Sequence, residues 1–466
     1  MSELTEQLGK FVAPEPLLDD GGMNAKVLDS ARVPVQPAFV AAGTETVAPG
    51  RPAMLPAGII YQADWKKIDD GMARHARQQA KALSVGGVPT SLRSITDEQM
   101  YLDDEAAEQV WAEVGYLART SLKSAPAAIR HCVLHGTDFL RAVIAPAGAR
   151  LAGFEAEKRV WSSTIIYTSW ERSTIAPSLV ELLNRCGQVW LPCERSVEVF
   201  RAAGVTSALL RRVPYPYDPD SAVCRIAQPR GSGLVPRGKR FYNIGKWEPR
   251  KNHNALVGAF LRAFTPADHA SLYIKTHGWG DWEGYPTPDE SVAAWLKDER
   301  VANNGWTKET LKKRLWIADR RLTEEAIGRL HARNNIYVSA AHGEGWDLPA
   351  FDARCAGNRL VHVGYGGTED FADPKHDIAV PYRMGPVHPG YGWEASAEWA
   401  HYEVEDLAAA MSLVEPPEER LHPSDFAGRF GRHAVGELMR RCVYDLLGAL
   451  SPTLCADFER LPTGFG

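Results

Sequence analysis

A chain of 466 residues is too long for one hydrophobic core and predicts two domains, or three at most. With 45% hydrophobic and 24% charged residues it can bury two full cores, and a net charge of −5 argues against a protein that coats nucleic acid. Seven cysteines without a CxxC pair fit a reducing compartment with neither a disulfide framework nor a structural zinc site; no run approaches the roughly 18 apolar residues of a membrane span and no basic-then-apolar leader opens the chain, so the expected location is cytoplasmic.

Residues 1–54 are rich in Ala, Pro and Gly, show weak periodicity, and are expected to form an extended or poorly ordered arm. The first domain is expected over 55–222. It opens with a strand, Ala57–Ala63, and a helix that starts near Asp70-Gly71 and closes on Gly86-Gly87. Gly71 would let backbone amides approach an anion, or simply make a turn. His75 is expected on the helix surface. A helical region near Glu105–Leu122 leads to IRHCVLHGTDF, whose centre reads as a buried strand ending at His135-Gly136. A histidine there can hydrogen-bond a ligand hydroxyl at the carboxyl end of a sheet, or sit as a satisfied, partly buried side chain; His131 is read as structural.

Residues 164–218 predict strand, helix, strand, helix, strand, with Thr168, Ser169, Trp170 and Glu171 at the mouth of the first of these. Periodicity breaks after 219, and a Pro/Gly/Ser linker is expected over 223–239. Its LVPRG stretch is a sequence that thrombin cleaves and that cloning vectors carry, so no chemistry is assigned to it.

A second domain is expected over 240–424. It begins with a strand, a turn and an amphipathic helix at 240–264, in which Lys246 and Lys251 bracket the turn beside Arg250. Two cations at a strand end can neutralise a diphosphate, or form a solvated basic turn. GWGDWEG at 278–284 is loop-like and offers a stacking surface, although most of the 14 tryptophans are expected in the core. Further strands fall at 270–278 and 315–320. The basic residues between Lys312 and Arg333 read as a solvated helix face, or as a patch that steers an anion.

Residues 336–364 read as strand, loop, helix, strand. Ile336–Ala340 ends at the turn His342-Gly343-Glu344-Gly345, and a helix from near Leu348 stops at Gly357. Glu344 is placed at the rim of a cleft and Asp352 one turn into the helix, with free helix-start amides between them. The amides and the dipole favour a diphosphate, while carboxylates accept from sugar or ribose hydroxyls. An ordinary turn with two solvated acids has the same pattern. GYGGTEDF at 364–371 is a second glycine turn, and Asp425–Leu450 predicts a helix of more than six turns within a terminal segment 425–466.

The acidic pair, with seven residues between its members in an EGWDLP context, resembles the motif of the family 4 retaining glycosyltransferases. Asp352 stands where that family usually has Glu, Asp347 where Gly is common, and Lys246 where Arg is usual. The likeness runs in order over roughly 57–450, strongest at 336–357 and 240–264. It implies an α/β GT-B fold: two doubly wound, Rossmann-like domains facing across a cleft, with a C-terminal helix crossing back. It further implies sugar transfer from a nucleoside diphosphate sugar to an acceptor hydroxyl with retention of anomeric configuration.

By the same resemblance Lys246 and Lys251 hold the departing diphosphate and Gly71 offers it an amide. Glu344 orients the donor sugar beside the amides of Gly345, Trp346, Asp347 and Leu348, Asp352 binds ribose hydroxyls, and His135 supports the reacting face. Thr168–Glu171 are acceptor-side candidates. Neither a metal nor a cofactor is expected. The acceptor is left open among a glycan, a lipid-linked sugar, a protein, a metabolite and modified DNA, and the oligomeric state is left open too. Rival readings on the same fold are a sugar-nucleotide epimerase, a phosphorylase, and a catalytically inactive sugar-nucleotide binding protein.

Overall fold

A computed structural model describes residues 54–66, 71–95, 104–134, 160–227, 237–277, 282–420 and 425–459. The expected arm as far as residue 53, Asp70, His135, the linker stretch 228–236 and residues 278–281 of GWGDWEG lie outside the described residues.

The first sheet holds β1 (Ile59–Ala63), β2 (Thr90–Ser94), β3 (Ala127–His131), β4 (Thr164–Tyr167), β5 (Gln188–Leu191) and β6 (Leu210–Arg212). Their order is β2-β1-β3-β4-β5-β6, every pair parallel. β4 and β5 are buried along their whole length, as strands covered on both faces must be. The second sheet holds β7 (Lys239–Ile244), β8 (Ala270–Thr276), β9 (Leu315–Asp319), β10 (Ile336–Ser339), β11 (Arg359–Val363) and β12 (Ile378–Val380), ordered β9-β8-β7-β10-β11-β12 and again all parallel. An antiparallel hairpin, β13 (Arg383–Pro386) and β14 (Glu398–His401), is added to this lobe.

Strand order reverses between β1 and β3 in one sheet and between β7 and β10 in the other. In an open parallel sheet such a reversal splays the connections apart and leaves a crevice at the carboxyl ends. The helices that matter for that crevice are α1 (Gly71–Val85) after β1, α2 (Ala222–Ala227), α3 (His253–Ala263) after β7, α4 (Glu324–Arg333) and α5 (Leu348–Cys355) after β10. α1 closes as expected, with Gly87 at φ 87° and Val88 N–H donating to Leu83 O at 3.2 Å.

The stretch Asp425–Leu450, expected as one helix, is two, α6 (Phe426–Phe430) and α7 (Arg432–Leu450), and a short helix, Pro452–Glu459, follows them. Gly431 is extended at ψ 148°, and Tyr217 N–H donates to Phe430 O at 2.5 Å, so the chain gives up a helical turn to pair with the first lobe. α7 crosses back onto α1. The two helices touch backbone to backbone: a Cβ on Gly86 would lie 2.4 Å from Gly436 O, and one on Gly436 2.1 Å from Ala82 O. Gln188 Nε2 donates to Cys442 O at 2.8 Å and ties the same helix to β5. These two lobes and the returning helix constitute the GT-B fold.

Three expectations change. β3 ends at His131, four positions before the predicted end, because the apolar alternation stops there. Residues 222–227, expected partly as linker, form α2, which packs on α4 and buries Val223 and Cys224. His75 is not on a helix surface: it is fully buried and stacked on Tyr215.

One apolar cluster runs from β1 and α1 through Tyr215 and Tyr217 to Trp346, Phe351 and Phe371 of the second lobe and to Phe426 and Phe430 of the tail. Phe351 lies 5.5 Å from Phe426 and 5.4 Å from Phe430, which joins the second lobe to the tail, and Tyr215 lies 5.4 Å from Trp346, which joins the two lobes. Among the described residues no helix is long and apolar enough to cross a membrane.

Candidate active site

The two reversal points face each other across a cavity of about 570 Å³, lined by α1, the β4 mouth, the turn after β7, and the loop between β10 and α5. The turn after β7 is anchored from behind. Trp247 is buried, stacks on His253 at 5.1 Å and donates its indole N–H to Pro286 O at 2.8 Å. Asn252 takes a left-handed conformation (φ 48°) and caps α3, accepting from Ala255 N–H at 3.4 Å. This geometry turns Arg250 and Lys251 inward and leaves Lys246 exposed at the rim.

Arg250, which the sequence marks only as a neighbour of the lysines, is the most buried cation of this turn. It donates to Gly343 O at 2.8 Å and pairs with Glu248 at 2.9 Å, Glu171 at 3.1 Å and Glu344 at 3.2 Å. Lys251 hydrogen-bonds the same Glu344 oxygen. Burial pushes the Glu344 carboxyl up, but Lys251 and Arg250 overcome it and hold the group below the usual carboxylate range. Glu171, with burial the larger effect and Glu344 nearby, is raised although Arg250 opposes this.

The loop after β10 is built on glycines. A Cβ on Gly343 would lie 2.3 Å from Glu171 O, and one on Gly345 2.6 Å from Ser169 Cβ, so the first lobe's β4 mouth presses directly on this backbone. From the other side Gly366 and Gly367 pass under it, where Cβ atoms would meet Glu344 O at 2.6 Å and Trp346 Cα at 2.4 Å. The second glycine turn therefore supports the loop. Its acids face the first lobe: Glu369 approaches Arg195 at 3.6 Å and Asp370 approaches Arg212 at 3.6 Å.

Asp347 sits at φ 66°, a conformation that favours glycine. Aspartate compensates by capping α5: Oδ1 accepts from Ala350 N–H at 3.4 Å and Oδ2 from Ser339 Oγ. Burial, reinforced by Glu344, raises its pKa to about 6. Leu348 lines the cavity as the first residue of α5, with Gly345, Trp346 and Asp347 in the approach to that helix start. Trp346 contributes only an edge, being 2% exposed and stacked on Tyr215 at 5.4 Å.

Asp352 does line the cavity, but as half of an ion pair. Arg74 of α1 donates to its two oxygens at 2.5 and 3.1 Å. Gly71 opens α1 at the cavity wall, and a Cβ there would meet only Leu348 Cδ2 at 3.7 Å; no crowding by the protein demands glycine at this point. The predicted site residues Gly71, Lys246, Lys251, Glu344, Gly345, Trp346, Asp347, Leu348 and Asp352 are thus brought to one cavity.

The histidine at the described end of β3 is His131. It is buried, 2.9 Å from Tyr61 Oη, packed edge-on against His75 and Tyr167, and pushed by burial to a pKa of about 3. It is a neutral core residue, as expected. Of the basic residues between 312 and 333, Arg321 reaches the cavity, at the end where Lys275 and His277 also stand.

Sequence reading missed the β13–β14 hairpin. It carries Tyr391 and Trp393 between its strands and Trp399 on β14, and docks on the first lobe through Ser173 N–H to Glu398 O and Glu398 N–H to Ser173 Oγ, both 3.0 Å. Arg172 lies between Trp170 and Trp393, at 4.2 and 4.6 Å from the ring centres. Trp282 stacks on Tyr391 at 4.7 Å, and Tyr391 Oη accepts from Arg250 N–H at 3.2 Å. Among the described residues no group of three or more His, Cys, Asp or Glu is arranged to hold a metal ion.

No protein-family model matches the chain, and no curated protein sequence matches it. Solved structures do match in three dimensions. Anabaena HepE in complex with UDP superposes with a TM-score of 0.51 at 11% identity, over 86% of this chain and 100% of that one. The α,α-trehalose 6-phosphate synthase of Burkholderia multivorans gives 0.51 at 11% identity over the same shares. Anabaena HepE with UDP and glucose gives 0.50, again at 11% identity over 86% and 100%. At such identity the likeness shows the fold alone.

Proposed function

We propose that the chain is a glycosyltransferase that moves a sugar from a nucleoside diphosphate sugar to an acceptor hydroxyl, with the anomeric configuration retained. The observation that carries this reading is the convergence, at opposed reversal points, of Lys246, Lys251, Glu344, Asp352 and a helix start on one cavity. Likeness of fold to HepE, whose complexes hold UDP and UDP with glucose, supports a sugar nucleotide as the donor.

In this reading the diphosphate lies against Lys246 and Lys251 and takes an amide from Gly71 and others from the Gly345–Leu348 approach to α5. Glu344, kept ionised by its two cations, accepts from the donor sugar's hydroxyls. Asp352 accepts from the ribose, and His135 supports the reacting face. The acceptor oxygen bonds to the anomeric carbon as the bond from that carbon to the phosphate oxygen breaks. The departing phosphate takes the acceptor's proton, with both partners on one face of the sugar. Lysine charge stands in for a divalent ion, so nucleotide release in EDTA is expected to equal that in magnesium.

The test is a panel of UDP-, GDP-, ADP- and dTDP-sugars, scored first by thermal shift and then by nucleotide release with candidate acceptors. A donor present at 100 times its Kd stabilises by about 2.7 kcal/mol. The anomeric configuration of the product, read by NMR, decides retention. Absence of any donor-induced shift or release would overturn the reading. Binding without release would favour a binding protein, an altered free sugar nucleotide an epimerase, and dependence on inorganic phosphate a phosphorylase.

A further inference from the structure

We infer that Arg74, a residue of the first lobe, is a positioning residue of the nucleotide subsite: it fixes the Asp352 carboxylate so that a remaining lone pair on the cavity side accepts from a ribose hydroxyl. This rests on the donor reading above. Arg74 stands one turn into α1, whose first residue lines the same cavity. Nη1 donates to Oδ2 at 2.5 Å and Nη2 to Oδ1 at 3.1 Å, a planar fork on a planar acceptor. Arg74 is 8% and Asp352 3% exposed, so neither group has bulk water as an alternative partner.

The lone-pair arithmetic matters. A carboxylate has about four acceptor positions, two on each oxygen. The arginine fork takes the inner position on each oxygen, which leaves one outer position on each, and these point to opposite sides of the carboxylate. A ribose hydroxyl coming from the cavity uses the one on its side. Without the fork, no arginine sets the rotation of the carboxylate about its last bond, and that position is not held toward the cavity.

The contact also crosses between lobes. One turn further along α1, Arg77 donates to Glu324 Oε1 at 3.2 Å, at the start of α4. Two arginines of one helix therefore grip the second lobe at the end of the cavity where Asp352 stands. Ribose recognition becomes a property of the assembled lobes rather than of the second lobe alone.

The experiment is calorimetric binding to the full chain of UDP, GDP and ADP, followed by the 2′,3′-dideoxy form of whichever binds tightest. In the wild type the ribose form is expected to bind about 10- to 100-fold tighter, since a hydroxyl donates to a charged acceptor. Arg74→Gln is expected to shrink that ratio to about threefold or less, with the affinity for the dideoxy form little changed. Asp352→Asn should do the same. Arg74→Lys, which keeps the charge without the fork, should restore part of the ratio, and it carries the test alone should glutamine at 74 unfold the chain. An unchanged ratio in folded Arg74 variants, or an equal loss of both affinities, would overturn the inference while leaving the donor reading intact. Failure of every diphosphate to bind the wild type would overturn both.

Discussion

Arg250 of the second lobe reaches Glu171 of the first at 3.1 Å, and the same guanidinium nitrogen lies 3.2 Å from Glu344. With Glu248 at 2.9 Å, one buried cation serves three carboxylates drawn from two lobes. Arg250→Met would strand them. Removing one partner of a buried ion pair costs about 3–5 kcal/mol, and since Glu171 keeps some water the lower end is expected. Urea denaturation measures it; a change below about 1 kcal/mol would show that the network contributes little.

Glu344→Ala and Lys251→Ala are each expected to reduce transfer by about 100-fold or more while the fold persists by circular dichroism. Because the two side chains are hydrogen-bonded to one another, the double variant should lose scarcely more than either single one. Wild-type turnover in both single variants would refute the site.

Asp347 has a folded pKa of about 6 against an ordinary value of 3.8. A raised carboxyl pKa contributes stability that is fully present below pH 3.8 and is lost as pH rises through 6. Asp347→Asn does not titrate, tolerates a positive φ and keeps an oxygen for the cap. Relative to wild type it should gain stability between those two pH values, by up to about 3 kcal/mol at pH 7. Unfolding curves at pH 4, 5, 6 and 7 test this, and parallel profiles would refute it.

Gly345→Ala would place a methyl group 2.6 Å from Ser169 Cβ and 3.1 Å from Trp170 N, against the opposite lobe. Overpacking of this kind costs about 1–3 kcal/mol, and nucleotide release should fall with it. Gly428→Ala is the contrasting case: nothing lies within 4 Å of the added carbon in α6, so a gain of about 0.5–1 kcal/mol is expected. Differential scanning calorimetry of the pair separates crowding from helix propensity.

The strands and most helices were legible because their signal is local. TIIY and QVWL are continuous apolar runs, and α5 announces itself by proline near its start and glycine after its end. The acids and lysines of the cavity were legible for a similar reason: they lie where a strand gives way to a helix. Partnership was not legible. Arg74 and Asp352 are 278 positions apart, and no periodicity relates them. A hint existed in two arginines, Arg74 and Arg77, three apart among the buried residues of α1, which are otherwise Ala, Gln, His, Leu and Ser. The β13–β14 hairpin escaped because its strands have four residues each and its glycines, prolines and histidines interrupt any alternation. His75 was misread because the stack that buries it comes from Tyr215, a residue with no local mark.

The glycine contact between α1 and α7 has a consequence for synthesis. The helix that begins at Gly71 rests on one that ends at Leu450, so the crevice wall acquires its backing only when nearly all of the described chain has been translated. A nascent polypeptide stalled on the ribosome before Arg432 has both sheets but an unsupported first wall. Removing α7 would uncover the backbone at Ala82 and Gly86 that it now packs against.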